Sequence, residues 1–193
     1  VVIERVEPEI DEGRFPVKRV VGEPVVVEAD VFADGHDVLA CVLRYRQAGA
    51  AQWQETPMQE LVNDRWRASF HVEALADYRF TVVAWVDRFA TWRRDLSTKV
   101  NAGLDVESEL MTGAELLAEA AARAGETDRA VLENAGRRLR VSGRQTDRVA
   151  AALDAAVAAA MAHAPDRRHA TTHHREVTVR VDRPKARFST WYE

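Results

Sequence analysis

The most constraining stretch of this chain lies near its end. Val177, Val179 and Val181 alternate with Thr178, Arg180 and Asp182, the two-residue period of a strand that buries one face. The stretch follows a long helical pattern, so it has no strand beside it in sequence. A lone strand leaves a row of backbone donors and acceptors unpaired, at about 1–3 kcal/mol for each one buried. It therefore has to rejoin a sheet made earlier, and the region up to about residue 92 is the source of one. This requirement predicts a discontinuous β domain of residues 1–94 and 175–193, with residues 95–174 inserted as a helical bundle.

The first region reads as strands. Val25, Val27, Ala29 and Val31 share one side, with Glu28 and Asp30 on the other; Leu39, Cys41, Leu43 and Tyr45 repeat the period, as do Phe80, Val82, Ala84 and Val86. Turn signals separate the runs: Gly22-Glu23-Pro24, Asp34-Gly35, Ala48-Gly49 and Asn63-Asp64. No helical pattern interrupts them, which predicts an antiparallel, immunoglobulin-like β-sandwich rather than βαβ units.

Between residues 114 and 164 the period becomes helical and the composition turns to Ala, Leu, Arg and Glu. Val149, Leu153, Val157 and Met161 step by four with Ala156 and Ala160 beside them, and Val131, Ala135 and Leu139 form a shorter stripe. The pattern predicts helices near 113–124, 128–140 and 145–163 and a short one near 95–102, with Gly125, Gly136 and Gly143 as punctuation. Thr112-x-x-Glu115 and Ser142-x-x-Gln145 fit capping boxes. The fold class expected is thus α+β, a β-sandwich interrupted by an α-helical bundle. Alanine buries little area, so such a bundle calls for a partner surface. The flanks of the last helix, at Ala152 and Ala159, are candidate contacts of a homodimer.

Composition excludes several functions. With 27 Lys and Arg against 31 Asp and Glu the net charge is −4, so general binding to nucleic acid or to an anionic membrane lacks its electrostatic drive. No apolar run approaches the ~20 residues of a spanning helix. Cys41 is the single cysteine, which rules out an internal disulfide and a Cys-cluster zinc site and points to a reducing, cytoplasmic compartment. The chain opens Val1-Val2 and closes on the aromatic Trp191-Tyr192-Glu193, which reads as a piece of a longer protein.

The densest chemistry lies in Trp85-Val86-Asp87-Arg88-Phe89-Ala90-Thr91-Trp92-Arg93-Arg94-Asp95. One reading is a sugar platform, with Trp85 and Trp92 stacked on pyranose C–H groups and Asp87, Arg88 and Arg93 bonding hydroxyls; Trp53 is a third possible platform. The other is a strand end held by Arg–Asp pairs and Trp packing, a common structural use of stacked Arg. His169-x-x-x-His173 has metal-like spacing, but Pro165 and Thr171-Thr172 oppose the helix that would bring the rings together. No GxGxxG, Walker or GxSxG pattern occurs, and the carboxylates crowding Glu7, Glu9, Asp11 and Glu12 form no acid–base pair. The residues alone predict no catalytic group, no metal and no cofactor.

Several stretches resemble one family. They are Glu7 to Arg19, Ala29 to Asp37, Asn63-Asp64-Arg65-Trp66, Trp85 to Asp95, and Arg187-Phe188-Ser189-Thr190-Trp191-Tyr192-Glu193. In this order they resemble the amino-terminal region of the maltose-1-phosphate-dependent α-1,4-glucan maltosyltransferases of the α-amylase superfamily. The resemblance implies a parent enzyme that moves maltosyl from α-maltose 1-phosphate to an α-1,4-glucan with retention, through two carboxylates in a (β/α)₈ barrel beyond Glu193. No residue here inherits a catalytic role. It also implies homodimer formation by this region, contact with the chain's own barrel, possible contact with α-glucan, and a framing role for Trp191 and Tyr192.

Overall fold

The computed structural model describes residues 1–184. The chain divides into two compact units, one of residues 1–86 with those from 169 onward, the other of residues 87–168. It is mixed α+β, with two sheets and five helices among the described residues.

The first unit holds strands β1 (Val2–Glu7), β2 (Val17–Val20), β3 (Pro24–Phe32), β4 (Leu39–Gln47), β5 (Gln54–Pro57), β6 (Gln59–Glu60), β7 (Arg65–His71), β8 (Asp77–Val86), β9 (Thr171–Thr172) and β10 (Val177–Asp182). One sheet runs β1-β3-β7-β6; the other runs β2-β10-β8-β4-β5, with β9 also on β8. A single buried cluster draws on both. Val25, Val27 and Phe70 enter it from the first sheet, Leu43, Phe80, Val82, Val177 and Val179 from the second. The period-2 stripes are what make this possible, since alternate side chains leave a strand on the same face.

The late strand joins the early ones as its alternation requires. Val177 lies opposite Phe80 and Val179 opposite Tyr78, antiparallel. On its other edge, however, β10 pairs with β2 in parallel, Val179 opposite Val17, which departs from the all-antiparallel expectation. No tight turn links these two strands, so no hairpin imposes a direction on the pair. Strand β8 is buried on both faces: Thr81, Val83 and Trp85 are covered as well as Phe80, Val82 and Ala84. Val83 and Trp85 pack with Val42, Ala40 and Ala170 in a small cluster of their own.

The second unit contains α1 (Arg88–Asn101), α2 (Glu107–Ala121), α3 (Glu126–Arg140), α4 (Gln145–Ala152) and α5 (Ala155–His163) around Leu96, Leu110, Leu117, Leu132 and Leu139. Four features differ from the pattern expected. Helix α1 starts at Arg88, because Asp87 caps it by accepting from the Ala90 amide at 2.9 Å. The expected 145–163 helix is broken after Leu153, where Asp154 caps α5 by accepting from the Ala156 amide at 2.7 Å. The proposed capping boxes do not form. Thr112 sits inside α2 with its hydroxyl donating to the Ser108 carbonyl, and α4 begins without a side-chain cap. Gly136 does not punctuate either; it is buried within α3.

Arg148 is the buried charge of this unit. Its guanidinium donates to the Leu139 carbonyl, in the last turn of α3, at 2.9 and 2.5 Å, and to both carboxylate oxygens of Glu107 at 2.5 and 2.9 Å. A planar fork satisfies both acceptors at once. The stripe Val149, Val157 and Met161 is buried in the unit's own cluster, with Leu153 packed against it.

Candidate functional site

The residues expected to bind sugar are already engaged. Trp85 is 6% exposed and Trp92 8%. The Trp92 indole N–H donates to the Glu109 carbonyl at 2.8 Å, and its ring lies 5.5 Å from that of Phe89. Rings buried to this degree present no open face to a pyranose, so packing replaces the platform reading for both. Asp87 is spent as the α1 cap. Arg93 donates to the Leu153 carbonyl at 2.5 Å, satisfying the acceptor exposed where α4 ends. Arg88 contacts Glu119 at 3.3 Å and Asp166 at 3.4 Å. Arg168 joins this network, and its hydrogen bond holds the Asp166 carboxyl well below the usual carboxylate range. Trp191 and Tyr192 lie outside the described residues. Of the two candidate dimer contacts, Ala159 is exposed on α5, whereas Ala152 is fully buried and unable to meet a partner.

The histidines stay apart in role. The His163 ring contacts Asp128 at 3.0 Å. His173 packs beside His174, and burial pushes its pKa down. Among the described residues no group of His, Cys, Asp and Glu is arranged to hold a metal ion. Burial also pushes the Cys41 thiol up to about 12, with its Sγ 3.3 Å from Met58 Sδ.

Three of the sequence motifs do converge, at Arg65. Its guanidinium donates to Glu7 at 2.6 Å, to Glu28 and Asp30 at 3.0 Å each, and to the Arg5 carbonyl at 3.1 Å. Arg67 adds a second contact to Glu28, and Arg5 one to Asp30. The geometry follows from register. Asp30 is paired with Arg65 and Glu28 with Arg67 across β3 and β7, and β1 lies on the other edge of β3. Hydrogen bonds from Arg65 and then Arg67 lower the Glu28 pKa; for Arg65, burial acts downward but the bonds to Asp30 and Glu28 carry it upward. Beside the cluster is a surface cleft of about 420 Å³, lined in part by Arg5, Asn63, Leu61 and Val62. Val62 is 79% exposed and precedes a turn in which Asn63 and Asp64 take left-handed backbone.

The chemistry of this cluster is that of a clamp. Its acids are occupied by guanidiniums, the Glu28 carboxyl is held low by them, and among the described residues no nucleophile is bonded to the cluster. What it does is lock β1, β3 and β7 and present a rigid turn with an apolar tip. Sequence reasoning quoted each motif but missed their meeting, because the signal is a cross-strand register and not a local spacing.

Comparison with known proteins places residues 1–183 in a match to the family described as alpha-1,4-glucan:maltose-1-phosphate maltosyltransferase, domain N/S. A protein of that name from Chlorobaculum tepidum is 46% identical over 193 residues, and one from Myxococcus xanthus 47% over 201. Another from Rhodospirillum rubrum is 36% identical over 217 residues. Each alignment covers all of this chain and 29–30% of the relative, so the chain spans less than a third of their length.

Proposed function

Since this chain belongs to the alpha-1,4-glucan:maltose-1-phosphate maltosyltransferase family through its domain N/S, we propose that it is the non-catalytic amino-terminal region of such an enzyme. In this reading it frames and assembles a catalytic barrel that lies outside it. The parent enzyme transfers maltosyl from α-maltose 1-phosphate to the non-reducing end of an α-1,4-glucan. Phosphate leaves and configuration is retained through a covalent glycosyl intermediate. One observation carries the proposal: a match to a single domain of this enzyme across nearly the whole chain. The carboxylates paired with Arg65 agree with a framing role, as does the buried Cys41 thiol with a cytoplasmic setting.

The sheet unit is read as an immunoglobulin-like sandwich and the helices as an insertion in it. Support comes from β8 and β9, where Ala84 lies opposite Thr171 and Val83 opposite Thr172. That pairing sets the strand that leads into the helices beside the segment that returns from them. Homodimerisation is the second part of the proposal. The helical unit carries a groove of about 370 Å³ lined by Ala130, Val131 and Ala156 among others, and α5 exposes Ala159.

The test is phosphate release from maltose 1-phosphate with a maltooligosaccharide acceptor. The 193-residue chain is expected to be inactive and the protein extended past Glu193 active. Turnover by the shorter chain that survives repurification refutes the non-catalytic reading. A gene that encodes no barrel beyond Glu193 refutes the framing role.

A further inference from the structure

Basic charge gathers at one turn of the helical unit. Residues 137–148 carry five arginines and one aspartate, although the whole chain has a net charge of −4. Two of the five are engaged. Arg140 donates to the Ala114 carbonyl at 3.2 Å, and Arg148 holds Glu107 and the Leu139 carbonyl. The other three, Arg137, Arg138 and Arg144, are exposed, and among the described residues none of them meets a carboxylate or a carbonyl. Arg65, Arg88, Arg93 and Arg168, by contrast, are each bonded.

The three free guanidiniums line one cavity of about 420 Å³, where the chain passes from the end of α3 through Val141-Ser142-Gly143 to α4. Small-molecule sites span ~300–1,000 Å³, so the space suits a small ligand. Its frame is fixed, because Arg148 of α4 donates to the Leu139 carbonyl of α3. A position in the last turn suits the dipole of α3 and accounts for positive charge at Arg137 and Arg138. It accounts neither for Arg144, which lies beyond that helix, nor for the lack of a carboxylate partner. Glu107 neutralises Arg148 and Asp147 is the one acid on the lining, so three guanidiniums against one carboxylate leave the cavity at +2.

Planar guanidinium forks match the oxygens of a phosphate, and a phosphate dianion matches the charge. Ser142 adds a hydroxyl to the same lining, and Val141, 61% exposed, offers apolar contact to whatever group the phosphate is esterified to. Among the described residues no aromatic side chain lines the cavity, so the bases of a nucleic-acid strand have no surface to stack on. We propose that this cavity binds the phosphate group of a small organic phosphate monoester, held by Arg137, Arg138 and Arg144. The site goes beyond the maltosyltransferase reading and does not depend on it.

The experiment titrates the 193-residue chain with glucose 1-phosphate, AMP and inorganic phosphate at constant ionic strength. NMR follows the backbone amides of Ser142, Gly143 and Arg144. Glucose and adenosine, which lack the phosphate, are the controls. The expected result is a saturable shift of these amides with at least one ester, at a Kd below about 1 mM, and none with the controls. Inorganic phosphate should compete but bind more weakly, because it leaves Val141 uncovered. The tighter of the two esters tells whether a sugar or a nucleoside carries the phosphate. Arg137→Gln/Arg144→Gln should weaken binding at least about tenfold, since each change removes a charged donor. The charge-matched Arg14→Gln/Arg19→Gln, in the sheet unit, should leave binding unchanged. No saturable shift with either ester overturns the proposal, whether or not the variants fold. So does tighter binding of inorganic phosphate than of both esters, unchanged binding by a folded Arg137→Gln/Arg144→Gln, or an equal loss in the charge-matched variant. Phosphate release is no part of this readout, so the site and the enzyme reading fail independently.

Discussion

Replacing Gly113 with alanine should destabilise the helical unit, although the same change in most helix interiors is favourable. In an ordinary site Gly→Ala stabilises a helix by about 0.5–1 kcal/mol, because glycine loses more backbone entropy on folding. Gly113 lies within α2, and a Cβ built there falls 2.0 Å from Trp92 Cζ2, 2.6 Å from Cη2 and 2.7 Å from Cε2. The ring is a rigid plate without a flexible end to move aside. It is buried against Phe89 and held by the bond to the Glu109 carbonyl. Forced overpacking costs about 1–3 kcal/mol, and moving the ring off that carbonyl adds about 1–3 kcal/mol for the unmade bond. Set against the helix gain, the net loss is about 1–5 kcal/mol. Gly136, inside α3, is the internal control: there a Cβ meets the Ala114 carbonyl oxygen and Leu117 Cβ, both at 3.8 Å. Gly136→Ala should therefore be neutral or stabilise by up to about 1 kcal/mol. Urea unfolding followed by helical ellipticity, with the midpoints compared, reads both signs. In the double variant with Trp92→Leu the Gly113→Ala penalty should shrink, because the two residues share one contact. A Gly113→Ala chain as stable as the unmodified one, with Trp92 still buried, would refute the packing argument.

Arg148→Met should destabilise the helical unit by about 1–3 kcal/mol, because it leaves the buried Leu139 carbonyl without donors; thermal melts of the two chains give the difference. The Arg168 contact depresses the Asp166 pKa, so its stabilisation is full above the unfolded value of about 3.9 and fades as pH falls through the lower folded value. Arg168→Gln should accordingly be less stable than the unmodified chain near neutrality and converge with it well below pH ~4 in parallel urea titrations. Cys41, with its thiol raised to about 12, should resist alkylation near pH ~8 in the folded chain and react fully once unfolded, as counted by mass spectrometry. A short Gly-Ser bridge from Val86 to His169 should leave a sheet unit that melts cooperatively; loss of that transition would remove the support for the insertion reading.

Local period is written into neighbouring residues, and so the strands of Val25–Val31, Phe80–Ala84 and Val177–Val181 were legible without coordinates. Alternation decides which side chains share a face whatever the partner strand is. The return of the last strand to the sheet was legible too, since unpaired backbone leaves no alternative. The family was legible from motifs in order, because those motifs are contiguous runs. Partner choice and direction were not. The parallel pairing of β10 with β2 joins residues far apart in sequence, and nothing local distinguishes it from an antiparallel edge. The same holds for the tryptophans. Trp53, Trp85 and Trp92 are equivalent as residues, and only the segments that pack over them make two into plugs and leave one partly open. Gly136 read as a break and is a buried helical position, while Gly113, unremarked in sequence, is the seat of a ring. The helix that should have run from 145 to 163 was broken by Asp154, whose capping role depends on the backbone turning there, and Arg93 from α1 satisfies the carbonyl released by that turn. Arg65 gathers Glu7, Glu28 and Asp30 because three strands lie in register. Sequence determined which residues could face a core or carry charge; tertiary structure decided which of them met, because contact between distant segments depends on packing that no local pattern encodes.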